Sequence, residues 1–345
     1  MIYLICFCVT MILLLVIALY GRTVDINLSM LVISVAVGCG GYFALSLSKG
    51  LEEALLANKL VYVTAAFAPM CVFLIICDIC RVKVPAVLNM AMHTLQVVIF
   101  MSACTLGYMD IFYRSAEYHI GPAGAYITRE YGPMHTLHLT MLFIYTLAGI
   151  AVGLYSLNRK NVVSRINVLS LLFADAMTVG IYVVERALHL DVELMSVVFT
   201  IGAVVFTVIL IKINRFSTDN NRLILDEVLK DTGYIFFDKR MRYMGCSEQA
   251  AVFFPELSEW ELEKKVPGNG GRFNTFLRQP FLAYMKKEEG STGRGAYEYK
   301  EKTFRYEIDE LHSGSGRIAG YAIRILNVTD VIGTGDGHAE ENGQR

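Results

Sequence analysis

Seven long apolar segments dominate the first 213 residues of the chain. They are 2–20, 26–47, 60–80, 84–106, 135–157, 166–184 and 194–213. Because a helix rises about 1.5 Å per residue, about 20 apolar residues cross the hydrocarbon core of a bilayer. The segments therefore predict a membrane all-α bundle of seven helices. The first segment lacks a preceding basic region, so we interpret it as an anchor rather than a cleaved signal peptide.

Composition supports the same class of protein. Of the 345 residues, 54% are hydrophobic and only 18% are charged, whereas a soluble domain has about 25% charged residues. The net charge of -1 gives no reason to expect nucleic acid binding. Seven of the eight cysteines fall in or beside apolar segments, which does not fit a secreted disulfide framework.

Basic residues in the short loops predict the orientation of the bundle. If the N-terminus is outside, nine Lys and Arg residues lie on the cytoplasmic side and five on the outer side. This bias favours an outer N-terminus, and seven spans then place the C-terminal part in the cytoplasm. The longest outer loop, Gly107–Met134, is rich in Tyr and Gly, and we expect a lid or a re-entrant segment there.

The character of the sequence changes after Ile213. We predict a linker helix over 214–230, a small domain over 231–330 and a disordered tail over 331–345. Within the domain, short alternating segments predict two strands, then short helices, then three strands. The predicted strands are Gly233–Asp238, Met241–Gly245, Gly295–Lys300, Thr303–Leu311 and Arg317–Val328. This pattern predicts an α+β fold with an antiparallel five-stranded sheet, and a helix over Arg272–Lys287 that Pro280 interrupts.

Two segments of this domain resemble a PAS domain: GYIFFDKRMRYMGCSEQAAVFFPEL near its start and GRIAGYAIRILNVTD near its end. The resemblance implies a signal exit at Asn327, Thr329 and Asp330, with Asn327 where the family usually has an aspartate. It also implies an internal pocket for an unknown small ligand, although ordinary core packing would select the same residues. The expected lining residues are Ile235, Phe237, Phe253, Phe276, Phe304, Tyr306, Tyr321 and Ile323.

Seven spans followed directly by this domain resemble the N-terminal seven-transmembrane sensor region of bacterial histidine kinases, which also precedes diguanylate cyclases. The resemblance implies a multi-pass receptor of the bacterial plasma membrane that relays a stimulus to a cytoplasmic PAS domain. It also makes a homodimer and a separate signalling effector the expected protein partners.

Three polar side chains fall near the middle of predicted spans. Asp175 lies about ten residues into the sixth span, and His93 and Gln96 share one face of the fourth. Polar groups are costly in hydrocarbon and usually face the bundle interior, so these three side chains are expected to meet there. Two interpretations stay open: a cluster that senses a ligand, ion or proton, or structural hydrogen bonds between helices.

No cofactor or metal is predicted. Gly268–Phe273 resembles the flavin-binding signature of blue-light PAS domains but lacks the cysteine needed for adduct formation, and His312 is the only histidine in the domain that could bind heme. His135 and His138 are two histidines alone, which is a weak metal signal.

The chain is not expected to be an enzyme. The glycine run Gly333–Gly337 is followed by two acids and too few residues for a phosphate-binding domain. Two alternative classes stay open: a transporter with a regulatory domain, and a truncated sensor histidine kinase or diguanylate cyclase. A retinal-binding pump is excluded because Lys212 lies at the end of the last span rather than deep within it.

Overall fold

The computed structural model describes residues 1–20, 25–158, 164–188, 193–215, 232–268, 271–312 and 318–329. These residues form two compact units, one made of helices with a small hairpin and one built on a larger sheet. Most of the predicted linker (216–230), the whole predicted tail and Asp330 lie outside the described residues.

The first unit consists of long apolar helices. Their bounds are α1 Ile2–Tyr20, α2 Ile26–Leu47, α3 Leu51–Ile79, α4 Ala86–Cys104, α5 Pro133–Leu157, α6 Arg165–Ala187 and α7 Met195–Arg215. Six are long and apolar enough to cross a membrane, and α7 contains a shorter apolar stretch, Met195–Ile211. Large apolar side chains on the bundle surface, such as Leu15, Val87 and Phe173, are more than half exposed, as expected for a surface that faces lipid. The predicted membrane helix bundle is confirmed.

Helix α3 begins earlier than the sequence predicted. It starts at Leu51 rather than Leu60, with Glu52 and Glu53 in its first turn. Acidic side chains stabilise a helix N-terminus through the helix dipole, and the carboxylate of Glu53 accepts the backbone N–H of Lys49 at 2.9 Å. The prediction rested on the continuous run of apolar residues. It therefore left out the polar first turns of α3 and placed the start of the helix too late.

Helices α2 and α3 pack with their backbones unusually close together. A Cβ atom at Gly38 would overlap the Thr64 hydroxyl, and one at Gly41 would lie 2.7 Å from the backbone nitrogen of Val61. Small residues allow this close approach in membrane helices, where packing and interhelical hydrogen bonds drive association. The α2–α3 pair is therefore a rigid part of the bundle.

The long loop between α4 and α5 forms a two-stranded hairpin, β1 (Tyr113–Gly121) and β2 (Gly124–Tyr131), paired antiparallel. Its Tyr118 hydroxyl donates to the Ser48 carbonyl at the end of α2, at 2.7 Å. At the hairpin tip, Ala123 packs beside Tyr3 and Tyr42. Of the two predicted forms, the structure therefore favours a lid over a re-entrant segment. We call the end of the bundle that contacts it the hairpin side.

The second unit is an α+β domain with a five-stranded antiparallel sheet in the order β4-β3-β7-β6-β5, as the sequence predicted. The strands are β3 Thr232–Asp238, β4 Tyr243–Cys246, β5 Arg294–Tyr299, β6 Lys302–His312 and β7 Ile318–Asn327. Between β4 and β5 lie α8 Glu248–Phe253, a 3-10 turn Pro255–Glu259, α9 Arg272–Phe276 and α10 Arg278–Met285.

The predicted helix break at Pro280 is in the wrong place. The two helices are separated at Leu277, and Pro280 lies in the first turn of α10. Proline is tolerated there because the first N–H groups of a helix have no partner within the helix. Proline therefore occupies the start of the second helix instead of ending the first.

Candidate functional site

A cavity of about 30 Å³ lies inside the helical unit, where five helices converge. Its wall is apolar except for two threonines and one carboxylic acid. The lining residues are Leu31, Val35, Ala68, Pro69, Val72, Leu142, Thr146, Asp175, Thr178, Val179, Phe199, Gly202, Ala203 and Phe206. Since about 10–15 Å³ of such space holds one water molecule, the cavity has room for about two.

Asp175 is the charged residue of this wall. It is the eleventh of the 23 residues of α6, so it lies at the middle of the span, and it is buried. The Thr146 hydroxyl donates to its Oδ1 at 3.5 Å, a long hydrogen bond. Its Oδ2 is buried and has no hydrogen-bond partner among the described residues, and a Cβ atom at Gly149 would lie 3.6 Å from it. One oxygen of this buried carboxyl is therefore left uncompensated by the described residues.

The three predicted membrane residues do not form one cluster. Gln96 is buried, but its side-chain N–H donates to the Tyr145 hydroxyl of α5 at 3.0 Å rather than to Asp175. His93 is half-buried, and its Nδ1 lies 2.9 Å from the carbonyl of Asn89 on its own helix. Helix α5 instead supplies a separate partner to each of Gln96 and Asp175, through Tyr145 and Thr146.

The hairpin side contains a buried charged network that the sequence did not predict. Arg129 of β2 donates from Nη2 to the Glu193 carboxylate at 2.7 Å, and the two side chains are only 6% and 14% exposed. Its Nη1 donates to the Tyr113 hydroxyl at 3.0 Å, which also accepts from the Asn58 side chain of α3 at 3.1 Å. The Tyr62 hydroxyl completes the group through a short hydrogen bond to Tyr113.

Burial alone would lower the pKa of the Arg129 guanidinium, but Tyr113 and Glu193 hold that pKa well above its ordinary value. Arg129 is therefore a permanent buried cation. Glu193 lies two residues before α7, so this pair joins the hairpin to the segment that leads into the last helix. Neither Arg129 nor Glu193 was predicted to belong to a site, and the sole signal in the sequence was an arginine in a tyrosine-rich loop.

His135 and His138 lie in an aromatic cluster beside this network. Both are buried, and the His135 ring stacks on Tyr131 with ring centroids 3.7 Å apart. The rings of Tyr62 and Phe112 pack edge-on against them. Within the described ranges, no group of three or more His, Cys, Asp and Glu side chains is arranged to hold a metal ion.

The residues predicted to line a pocket in the sheet domain form its apolar core. Six are buried, namely Ile235, Phe237, Phe304, Tyr306, Tyr321 and Ile323, while Phe253 and Phe276 are half-buried and pack against the same core. Phe237 packs on Phe281 with ring centroids 4.8 Å apart, and Phe253 packs on Phe304 at 5.2 Å. Burial raises the pKa of Tyr306 and of Tyr321, so both hydroxyls stay protonated near neutral pH.

The glycine segment that resembles a flavin signature contacts a side chain of its own domain. Gly271, with a φ of 119°, directly precedes α9, and the Glu256 carboxylate accepts the backbone N–H of Phe273 at 2.8 Å. A glycine is needed at this φ, which other residues rarely adopt. Residues 269 and 270 of this segment, and the side chain of His312, lie outside the described part of the structure.

At the predicted signal exit, Asn327 accepts hydrogen bonds that an aspartate could also accept. Its Oδ1 receives the Thr329 backbone N–H at 3.2 Å and the Thr329 hydroxyl at 2.6 Å. The Thr329 hydroxyl oxygen in turn accepts the N–H of Thr303 on β6 at 3.0 Å. The end of β7 is therefore tied to the start of β6 without a carboxylate.

These features define a helical membrane protein, with a mostly apolar cavity that contains one buried carboxyl, and a separate α+β domain. Residues 2–218 match the family described as the N-terminal 7TM region of histidine kinase. The match covers more than half of the chain, so the chain belongs to this family, as the sequence resemblance indicated. The family description indicates a sensory membrane module. Among curated proteins, none matches the chain.

Proposed function

We propose that the helical unit detects a stimulus at the Asp175 cavity and passes it through α7 to the C-terminal domain. In this proposal the N-terminus is outside the plasma membrane of a bacterium and the sheet domain is cytoplasmic, as the basic loop residues indicate. The receptor class is supported by the family match over residues 2–218.

The observation that carries the proposal is the composition of the cavity wall. Four of its residues, Phe199, Gly202, Ala203 and Phe206, belong to α7, the helix from which the chain continues to the C-terminal domain. A ligand or a change of charge at Asp175 would alter the packing of α7 directly. A stimulus shifts a conformational equilibrium only when it interacts differently with the two states, and a buried carboxyl that shares its cavity wall with the exit helix offers a place for such an interaction.

The C-terminal domain is proposed to be a PAS domain. Its order of two strands, short helices and three strands on one antiparallel sheet supports this assignment. The hydrogen bonds of Asn327 and Thr329 support a signal exit at the end of β7. From there the signal would pass to a separate effector protein or to a second copy of the chain in a homodimer. We propose that the domain relays the signal without a bound cofactor.

The single tryptophan of the chain allows a direct test. Trp260 lies in the C-terminal domain, 6% exposed, between the rings of Tyr243 and Phe273. In the full chain in lipid nanodiscs, we expect Asp175→Asn to shift the emission or the acrylamide quenching of Trp260. Phe173→Leu, on the lipid-facing surface of the same helix, is the matched control and should cause no shift. Identical Trp260 signals in Asp175→Asn and wild type, with both correctly folded by circular dichroism, would refute the relay.

A further inference from the structure

We propose that the Asp175 cavity binds one small monovalent cation, for which Na⁺ is the probe. This inference rests on the proposed function of the cavity as the sensing site and names the class of ligand. The site consists of Asp175, Thr146 and Thr178.

The first argument is charge. An ionised carboxylate buried away from water costs several kcal/mol unless a partner compensates it. Within the described wall of the cavity, Asp175 is the only charged residue, and no lysine, arginine or histidine faces it. The Oδ2 atom is also left without a hydrogen bond from any described residue. A bound cation would neutralise this carboxylate at the place where the protein itself supplies no positive charge.

The second argument is the chemistry of the surrounding atoms, which are oxygens. The Thr178 hydroxyl donates to the Ala174 carbonyl at 2.9 Å, so its lone pairs remain free to face a cation. With the carboxylate and Thr146, the site offers hydroxyl and carboxylate oxygens, which are among the ligands of hard cations.

The third argument is size and valence. A cavity of about 30 Å³ accommodates a small ion with about one water molecule. Divalent Ca²⁺ and Mg²⁺ prefer more oxygen ligands and more negative charge than one carboxylate provides. A proton alone would neutralise Asp175 but would need neither the space nor the additional oxygens. The geometry therefore favours a small monovalent ion.

Thermal unfolding of the purified full chain tests the proposal. Cys39, Cys71, Cys77 and Cys80 are buried in the helical unit, so a thiol-reactive fluorogenic dye reports its unfolding. At pH 8 we expect Tm to rise with Na⁺ and to saturate, relative to N-methylglucamine at equal ionic strength. The rise should be lost in Asp175→Asn and weakened in Thr178→Val. Thr140→Val, the same change at an exposed position of α5, should keep it.

Three results would overturn the proposal. They are an equal rise of Tm with N-methylglucamine, a full Na⁺-dependent rise of Tm in Asp175→Asn, and a full Na⁺-dependent rise of Tm in Thr178→Val. If Asp175→Asn does not fold, the question is still decided by comparing the Na⁺-dependent rise of Tm in Thr178→Val with that in Thr140→Val. An infrared band of a protonated carboxyl at pH 8 that Na⁺ does not diminish and Asp175→Asn removes would assign the site to a proton instead.

The relay is judged separately by the Trp260 signal. If Na⁺ raises the Tm of the wild-type chain in a saturable way but Asp175→Asn leaves the Trp260 signal unchanged, the cation site is supported and the relay is refuted. A Trp260 shift without any Na⁺ effect would support the relay and refute the cation site.

Discussion

The buried pair of Arg129 and Glu193 should be energetically coupled, and a double-mutant cycle measures that coupling. The pair joins the hairpin to the segment just before α7, with a nitrogen–oxygen distance of 2.7 Å. The proposed variants are Arg129→Met, which keeps most of the side-chain volume, Glu193→Gln, which keeps a hydrogen-bond acceptor, and the double variant.

The expected magnitude follows from burial. Two unit charges about 4 Å apart interact by about 4 kcal/mol at an effective dielectric constant of about 20. Removing one partner of a buried pair typically costs about 3–5 kcal/mol, because the other charge remains buried without compensation. Arg129→Met should lower the free energy of unfolding by this amount, since it also removes the donor to Tyr113. Glu193→Gln should lower the free energy of unfolding by about 2 kcal/mol, because the Gln side chain has no charge but still accepts a hydrogen bond.

The double variant should be more stable than the sum of the two single effects predicts. We expect a coupling energy of about 2 kcal/mol, measured as the free energy of unfolding of the full chain during titration of lipid–detergent micelles with SDS. Glu117→Gln, at an exposed hairpin position with a side chain 78% exposed, is the control and should change stability by less than about 0.5 kcal/mol. Additive single effects would show that the buried pair contributes no interaction energy, and the charge argument would then be wrong.

Three further substitutions have definite expected outcomes. Ser247→Ala removes an oxygen that accepts the N–H groups of Ala250 and Tyr234, so it should destabilise the C-terminal domain by about 1–3 kcal/mol in urea titrations followed by Trp260 fluorescence. Gly38→Ala would place its methyl group on Thr64 and should lower Tm of the helical unit by several degrees in the thiol-dye assay, whereas Gly180→Ala, with open space around it, should not. Asn327→Asp should keep the stability of the domain, while Asn327→Ala should cost about 1 kcal/mol, read from the same fluorescence titrations.

The helix bundle was predictable because its signal is local. Each span is a nearly continuous apolar segment, so length and composition alone located α1, α2, α4, α5 and α7 to within two residues at each end. The start of α3 was missed because its first turns are polar and are stabilised by a carboxylate rather than by lipid. The strands of the C-terminal domain were predictable for a similar reason, since alternation and turn residues are also local.

The site was only partly predictable because its contacts are not local. The position of Asp175 in the middle of a span indicated a buried carboxyl, which the structure shows. Its partner Thr146 lies on another helix, 29 residues earlier, and Arg129 lies 64 residues from Glu193. Nothing in the local sequence of β2 indicates that Arg129 is buried. Such pairings depend on how the helices pack, which a single sequence does not show.

The two polar partners supplied by α5 have a mechanical consequence. Tyr145 and Thr146 are consecutive residues, and successive side chains of an α-helix point about 100° apart around the axis. The hydrogen bond from Gln96 to Tyr145 and that from Thr146 to Asp175 therefore hold α5 from two different directions. Together with the packing of α5 against α3, they restrain the rotation of α5 about its own axis. If Asp175 releases Thr146, one restraint is lost while the bond to Gln96 remains, so we expect a change of charge on α6 to favour a turn of α5 that is felt at α4.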